Sequence, residues 1–114
     1  MMDMPSQADV DNAKAQIKKD VESIPVVLYM KGNPAMPQCG FSGQSVAILE
    51  SLGVPFESRN VLEDPALRQG IKEFSDWPTI PQLYVNGTFV GGCDIMVEMY
   101  QSGDLANLVK EGVA

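Results

Sequence analysis

Two thiols carry the chemistry open to this chain, which holds two cysteines, Cys39 and Cys93, and no histidine. Without an imidazole there is no histidine base to activate a nucleophile, so triad catalysis is excluded, and a four-ligand zinc site would require subunits to pool ligands. Cys39 stands between a segment broken by Gly32, Pro34 and Pro37 and a stretch, Gly40 to Leu52, patterned as a helix. That position puts its sulfur at a helix N-terminus, where unpaired amides and the macrodipole favour the thiolate. Lys31 adds a cation from across the loop. On position alone, the alternative is a buried, inert cysteine acting as a small hydrophobe. Gly40 permits close backbone approach, and Ser42 offers only a hydroxyl. Cys39-Gly40-Phe41-Ser42 therefore has a nucleophile without the second thiol that would resolve a mixed disulfide.

Other candidates are charged. Lys31, Arg68 and Lys72 are three of eight Lys and Arg residues in a chain of net charge −7, and they suit a local cationic pocket on an acidic body. Taken alone, Arg68 reads as a solvated helix face, since lone surface charges contribute little. Lys72 is the weakest of the three. Asp94, at the start of a helical stretch, reads as its N-cap. Trp77 and Phe41 read as packing residues, and Met96 and Met99 as core.

These residues must be positioned by a chain of 114 residues, long enough for one compact domain with its own core. Residues 1–9 are polar and Met-rich and are expected to fray, leaving a single domain over 10–114. Val10, Ala13, Ile17 and Val21 recur at the spacing of one helix face, in a helix that ends before Pro25. Ile24 to Met30 reads as a buried strand, and Lys31 to Gln38 as a loop. The helix from Gly40 stops at Gly53 and Pro55. Phe56 to Asn60 suggests a second strand and Pro65 to Phe74 a third helix. Two prolines make Trp77 to Pro81 irregular. Leu83 to Val85 and Thr88 to Val90 flank Asn86-Gly87, a hairpin signal. Asp94 to Gln101 reads as a helix, and Asp104 as the cap of a last one.

Two strands joined by a helix make a right-handed parallel βαβ unit, and the hairpin adds antiparallel strands to the same sheet. The expected class is α/β, a four-stranded mixed sheet with helices on both faces. The acidic balance excludes a sequence-independent nucleic-acid binder, whose affinity comes from basic residues neutralising phosphates. No apolar run approaches the roughly 20 residues of a membrane span, and the first ten residues lack signal or transit character. A cytoplasmic protein is the expectation, in a reducing compartment where paired structural cysteines are rare.

Cys39-Gly40-Phe41-Ser42 resembles the active-site signature of the monothiol, CGFS-type glutaredoxins. Lys31-Gly32 ahead of Pro34 and Pro37, the run Trp77-Pro78-Thr79-Ile80-Pro81-Gln82, and Gly91-Gly92-Cys93-Asp94 also stand at that family's spacing, and together they span Val26 to Tyr100. The resemblance implies the thioredoxin fold, a cis Pro81 and a glutathione site. In that site Lys31 and Arg68 would meet the glycyl carboxylate, and the Ile80 backbone would pair with the cysteinyl unit. The amides of Cys93 and Asp94 would hold the γ-glutamyl carboxylate, while the Asp94 side chain answers its ammonium.

Two functions follow from the resemblance. One is an iron–sulfur carrier in cluster assembly, transfer and iron homeostasis. A 2Fe-2S cluster wants four thiolates, and two chains each giving Cys39, with two glutathiones, supply them. The apo protein is then expected to be a monomer and the cluster form a homodimer, with a BolA-family protein and apo iron–sulfur proteins as partners. The alternative is a glutathione-dependent thiol-disulfide oxidoreductase working through Cys39.

Overall fold

The computed structural model describes residues 4–113. The first helix, α1, runs Gln7–Ser23 and is started by Ser6, whose Oγ accepts from the Asp9 amide at 3.1 Å. It begins three residues before Val10, so residues 7–9, expected to fray, form a capped first turn. Residues 1–3 of that segment lie outside the described residues. Ile24 is the C-cap of α1 and not strand, and strand β1 runs Val26–Met30 with all five side chains buried.

The segment expected as a loop contains a small antiparallel pair, β2 (Gly32–Asn33) and β3 (Met36–Pro37). Its proline takes an end position, where a missing amide donor costs nothing. Helix α2 (Gly40–Ser51) follows, then β4 (Glu57–Asn60) and α3 (Pro65–Ser75), which is capped by Asp64 and has proline in its first turn. Strands β5 (Gln82–Val85) and β6 (Thr88–Gly91) form the hairpin, with Asn86 and Gly87 both at positive φ as a type I′ turn requires. Helices α4 (Cys93–Ser102) and α5 (Asp104–Val113) close the chain. Asp104 opens α5 from inside its first turn and does not cap it; the residue before it, Gly103, ends α4 in the left-handed conformation.

The main sheet has the order β4-β1-β5-β6, with β1 parallel to β4 and antiparallel to β5. Alternate side chains of the central strands enter two separate cores, which is why β1 is apolar throughout. Val26, Leu28, Met30, Leu83 and Val85 pack with Leu49 of α2, Met96 of α4 and Leu105 of α5. Val27, Tyr29 and Tyr84 pack on the other face with Ile17 of α1 and Ile71 of α3. The result is the thioredoxin fold, with helices on both faces as the element order implies. Among the described residues, no helix is long and apolar enough to cross a membrane.

Candidate functional site

Cys39 is the N-cap residue of α2, its backbone extended at φ −155° and its side chain making no capping bond, so the sulfur is left for the solvent side. Burial acts to raise the thiol, but the amides of Ser42 and Phe41, the Ser42 hydroxyl and the Lys31 charge outweigh it and hold Cys39 below its ordinary value. The thiol is partly exposed, so the inert, buried alternative does not hold.

Ser42 does more than replace a second thiol. Fully buried, its Oγ also accepts from the Lys31 amide at 3.0 Å, tying the end of β1 to the first turn of α2. The β2–β3 hairpin completes the tie, because the Gln38 amide donates back to the Lys31 carbonyl at 2.9 Å. Gly32 makes this approach sterically accessible. It sits at φ +87°, and a Cβ there would lie 2.5 Å from the Met36 carbonyl oxygen. The Asn33 Oδ1 accepts from the Met36 amide, and Asn60 at the end of β4 accepts from the Gly32 amide, both at 2.9 Å.

The opposite wall is the irregular segment before β5, where the Ile80–Pro81 peptide is cis, as the resemblance implies. The N-terminus of α4 comes directly beside it, since a Cβ on Gly92 would stand 3.3 Å from the Pro81 carbonyl oxygen. Gly92 is the cap residue of α4, so Asp94 occupies the first turn and does not act as the N-cap. It lines the space in front of the helix. Cys93 is buried, and its Sγ donates to Gln44 Oε1 at 3.3 Å.

Between these walls lies a cleft of about 440 Å³ whose lining includes Lys31, Cys39, Arg68, Ile80, Cys93 and Asp94. The six residues assigned from the sequence to the thiol and glutathione site therefore meet in one place. Lys72 joins them, and its ammonium is held below its usual range by burial and by the neighbouring charges of Arg68 and Lys31. Three cations thus line one volume. Phe41 and Trp77, expected as packing residues, are 61% and 46% exposed and line the same cleft. Trp77 also packs, its ring centroid 6.3 Å from that of Phe89.

Sequence reasoning gave no role to Gln82, which is fully buried and bonded to the wall segment. The available signal was a polar residue opening an otherwise apolar strand. Among the described residues, no three His, Cys, Asp or Glu side chains gather as a metal-ligand set.

The family model for glutaredoxin matches residues 26–90. The chain is 55% identical over 101 residues to the ycf64-like monothiol glutaredoxin of Synechocystis, an alignment covering 89% of this chain and 94% of the relative. It is 56% identical over 101 residues to the mitochondrial monothiol glutaredoxin-5 of Saccharomyces cerevisiae, covering 86% of this chain and 67% of the relative. Among solved structures, reduced apo GrxS14 of poplar matches with a TM-score of 0.80 and 53% identity, covering 94% of this chain and 98% of that one. A buckwheat glutaredoxin–glutathione complex shares the fold with a TM-score of 0.85 at 21% identity, covering 96% and 98%. A thiolate-stabilised Cys39 with serine, not a second cysteine, three residues on, set in this fold and among these relatives, leads to one conclusion: the chain belongs to the glutaredoxin family, in its monothiol branch.

Proposed function

We propose that this monothiol glutaredoxin binds glutathione in the Cys39 cleft and, as a pair of chains, carries a 2Fe-2S cluster for iron–sulfur assembly. The observation that carries the reading is the meeting of three cations, a helix N-terminus and a partly exposed, thiolate-stabilised cysteine in one cleft. Glutathione matches those groups: it brings two carboxylates, one ammonium and one thiol. Arg68 offers a planar fork to the glycyl carboxylate, with Lys31 and Lys72 as point charges beside it. The Ile80 main chain pairs with the cysteinyl unit. The amides of Cys93 and Asp94 opening α4 take the γ-glutamyl carboxylate, and the Asp94 carboxylate takes the ammonium.

The donor set fits the cluster when shared. Cys39 is available to a ligand, whereas the Cys93 thiol is buried against Gln44, so each chain contributes one thiolate. Four are wanted, and a second chain with two glutathiones completes them. Bound there, the cluster supplies an iron–sulfur unit for transfer to apo iron–sulfur proteins, with a BolA-family protein as a further partner. The −7 charge on each chain opposes association, so the apo form is monomeric and the cluster form dimeric.

A lowered thiol also favours a second reading, a glutathione-dependent oxidoreductase. The Cys39 thiolate attacks the glutathionyl sulfur of a mixed disulfide and expels the substrate thiolate. A second glutathione thiolate then attacks the Cys39-bound disulfide, releasing glutathione disulfide and Cys39.

Anaerobic reconstitution with iron and sulfide, with and without glutathione, and sizing with in-line absorbance separates the readings. A coloured dimer that forms only with glutathione supports the carrier. A coloured monomer, or a dimer that keeps its colour after all thiol is removed, would show that the ligands come from elsewhere. A colourless protein with fast glutathione-disulfide turnover would establish the enzyme instead.

A further inference from the structure

Gln82 is one of three buried polar side chains in the described part of the molecule, and it is fully enclosed. A carboxamide in that position must find partners or destabilise the fold. Its Nε2 donates to the Trp77 carbonyl at 3.2 Å and to the Thr79 carbonyl at 3.1 Å. Its Oε1 accepts from the Tyr84 hydroxyl at 3.2 Å. Burial pushes the Tyr84 phenol up to about 12, against a smaller opposing effect of a Ser75 hydrogen bond, so the hydroxyl keeps its proton and remains a donor. The Trp77 carbonyl has a second, longer contact to the Ser75 hydroxyl at 3.4 Å; the Gln82 amide is the partner found for the Thr79 carbonyl.

These bonds hold a segment that cannot hold itself. Pro78 and Pro81 remove two amide donors between α3 and β5, and no helix or strand ladder covers that stretch. Strand alternation places Gln82 on the same sheet face as Tyr84, directly beneath the segment.

We propose that Gln82 is a positioning residue for glutathione: its carboxamide grips the carbonyls at Trp77 and Thr79 and so sets the direction of the Ile80 main chain. This role rests on the glutathione reading above, in which Ile80 meets the cysteinyl unit. A wall already held in one conformation spares the ligand the entropy of ordering it.

Gln82→Met keeps the length of the side chain and removes its hydrogen-bonding groups. Three measurements are made on wild type and variant: calorimetric affinity for glutathione, the rate of Cys39 alkylation by iodoacetamide, and amide exchange at Thr79 and Ile80. The variant is expected to bind glutathione about tenfold more weakly, with faster exchange at those amides and an unchanged alkylation rate. The split between affinity and thiol reactivity separates positioning from a general loss of structure, which would move both. If Gln82→Met does not fold, Tyr84→Phe decides, since it keeps the ring and removes only the donor to Oε1; about a threefold loss of affinity is expected. Wild-type affinity in the folded variant, or in Tyr84→Phe where it must decide, overturns the proposal. Wild-type protein that takes up no glutathione would overturn the glutathione reading itself, and this role with it.

Discussion

Replacing Gly32 by alanine tests how the site is built, because that glycine lets the β2–β3 hairpin fold back against Lys31. The added Cβ would stand 2.5 Å from the Met36 carbonyl oxygen and 2.7 Å from the Gln38 amide nitrogen, both backbone atoms that cannot rotate away. The contact is about half an ångström shorter than any real Cβ makes, and the residue would also be held at φ +87°. Left-handed strain costs roughly 1–3 kcal/mol by itself; with the displaced hairpin added, we expect a loss of about 2–4 kcal/mol. A urea melt should show the midpoint falling by roughly 1–2 M at an unchanged slope. Cys39 alkylation should slow in parallel, because displacing the hairpin breaks the Gln38–Lys31 bond that holds Lys31 and the Cys39 loop together. Gly40→Ala is the control, since nothing lies within 4 Å of a Cβ there. It should keep wild-type stability or gain up to about 1 kcal/mol from helix propensity. Equal midpoints for Gly32→Ala and wild type would refute the reasoning.

Ser42→Ala should raise the Cys39 thiol, by removing a hydroxyl that helps to hold it down, and should leave the Lys31 amide without its partner. A thiol lowered in the folded state adds stability above the ordinary thiol range and loses it as pH falls through the lowered value. The pH profile of Cys39 alkylation should therefore shift to higher pH in the variant, and an unmoved inflection would refute the assignment. Cys93→Ser should keep iron per chain after anaerobic reconstitution while Cys39→Ser loses it, because the Cys93 sulfur is turned to Gln44; equal losses would show otherwise. Arg68→Ala and Lys72→Ala should each weaken glutathione by about tenfold at low salt, less as salt screens the pocket, and calorimetry at two ionic strengths checks this.

The helices, the buried β1 and the hairpin were legible from the sequence because their signals are local. Apolar spacing states which side of a helix or strand is dry, and Asn86-Gly87 states a pair of positive φ angles without reference to the rest of the chain. The Cys39 assignment was legible for the same reason, since a loop-to-helix junction carries its own field. The start of α1 is local as well: the polar, Met-rich composition of residues 1–9 predicts fraying, but the Ser6 cap starts the helix at Gln7. What depended on tertiary structure was everything that joins distant residues. The Gly32 amide meets Asn60 across 28 positions, and the Cys93 thiol meets Gln44 across 49. Arg68 and Lys72 read as surface charges until α3 is packed beside Lys31, and only then do the three act on one volume. Asp94 passed from helix cap to cleft wall because Gly92 takes the cap position against Pro81. Periodicity reports the dihedral angles and the wet or dry face of a residue, both set by near neighbours. Which polar groups end within hydrogen-bonding reach is set by how the cores on the two sides of the sheet close, a property of the whole chain.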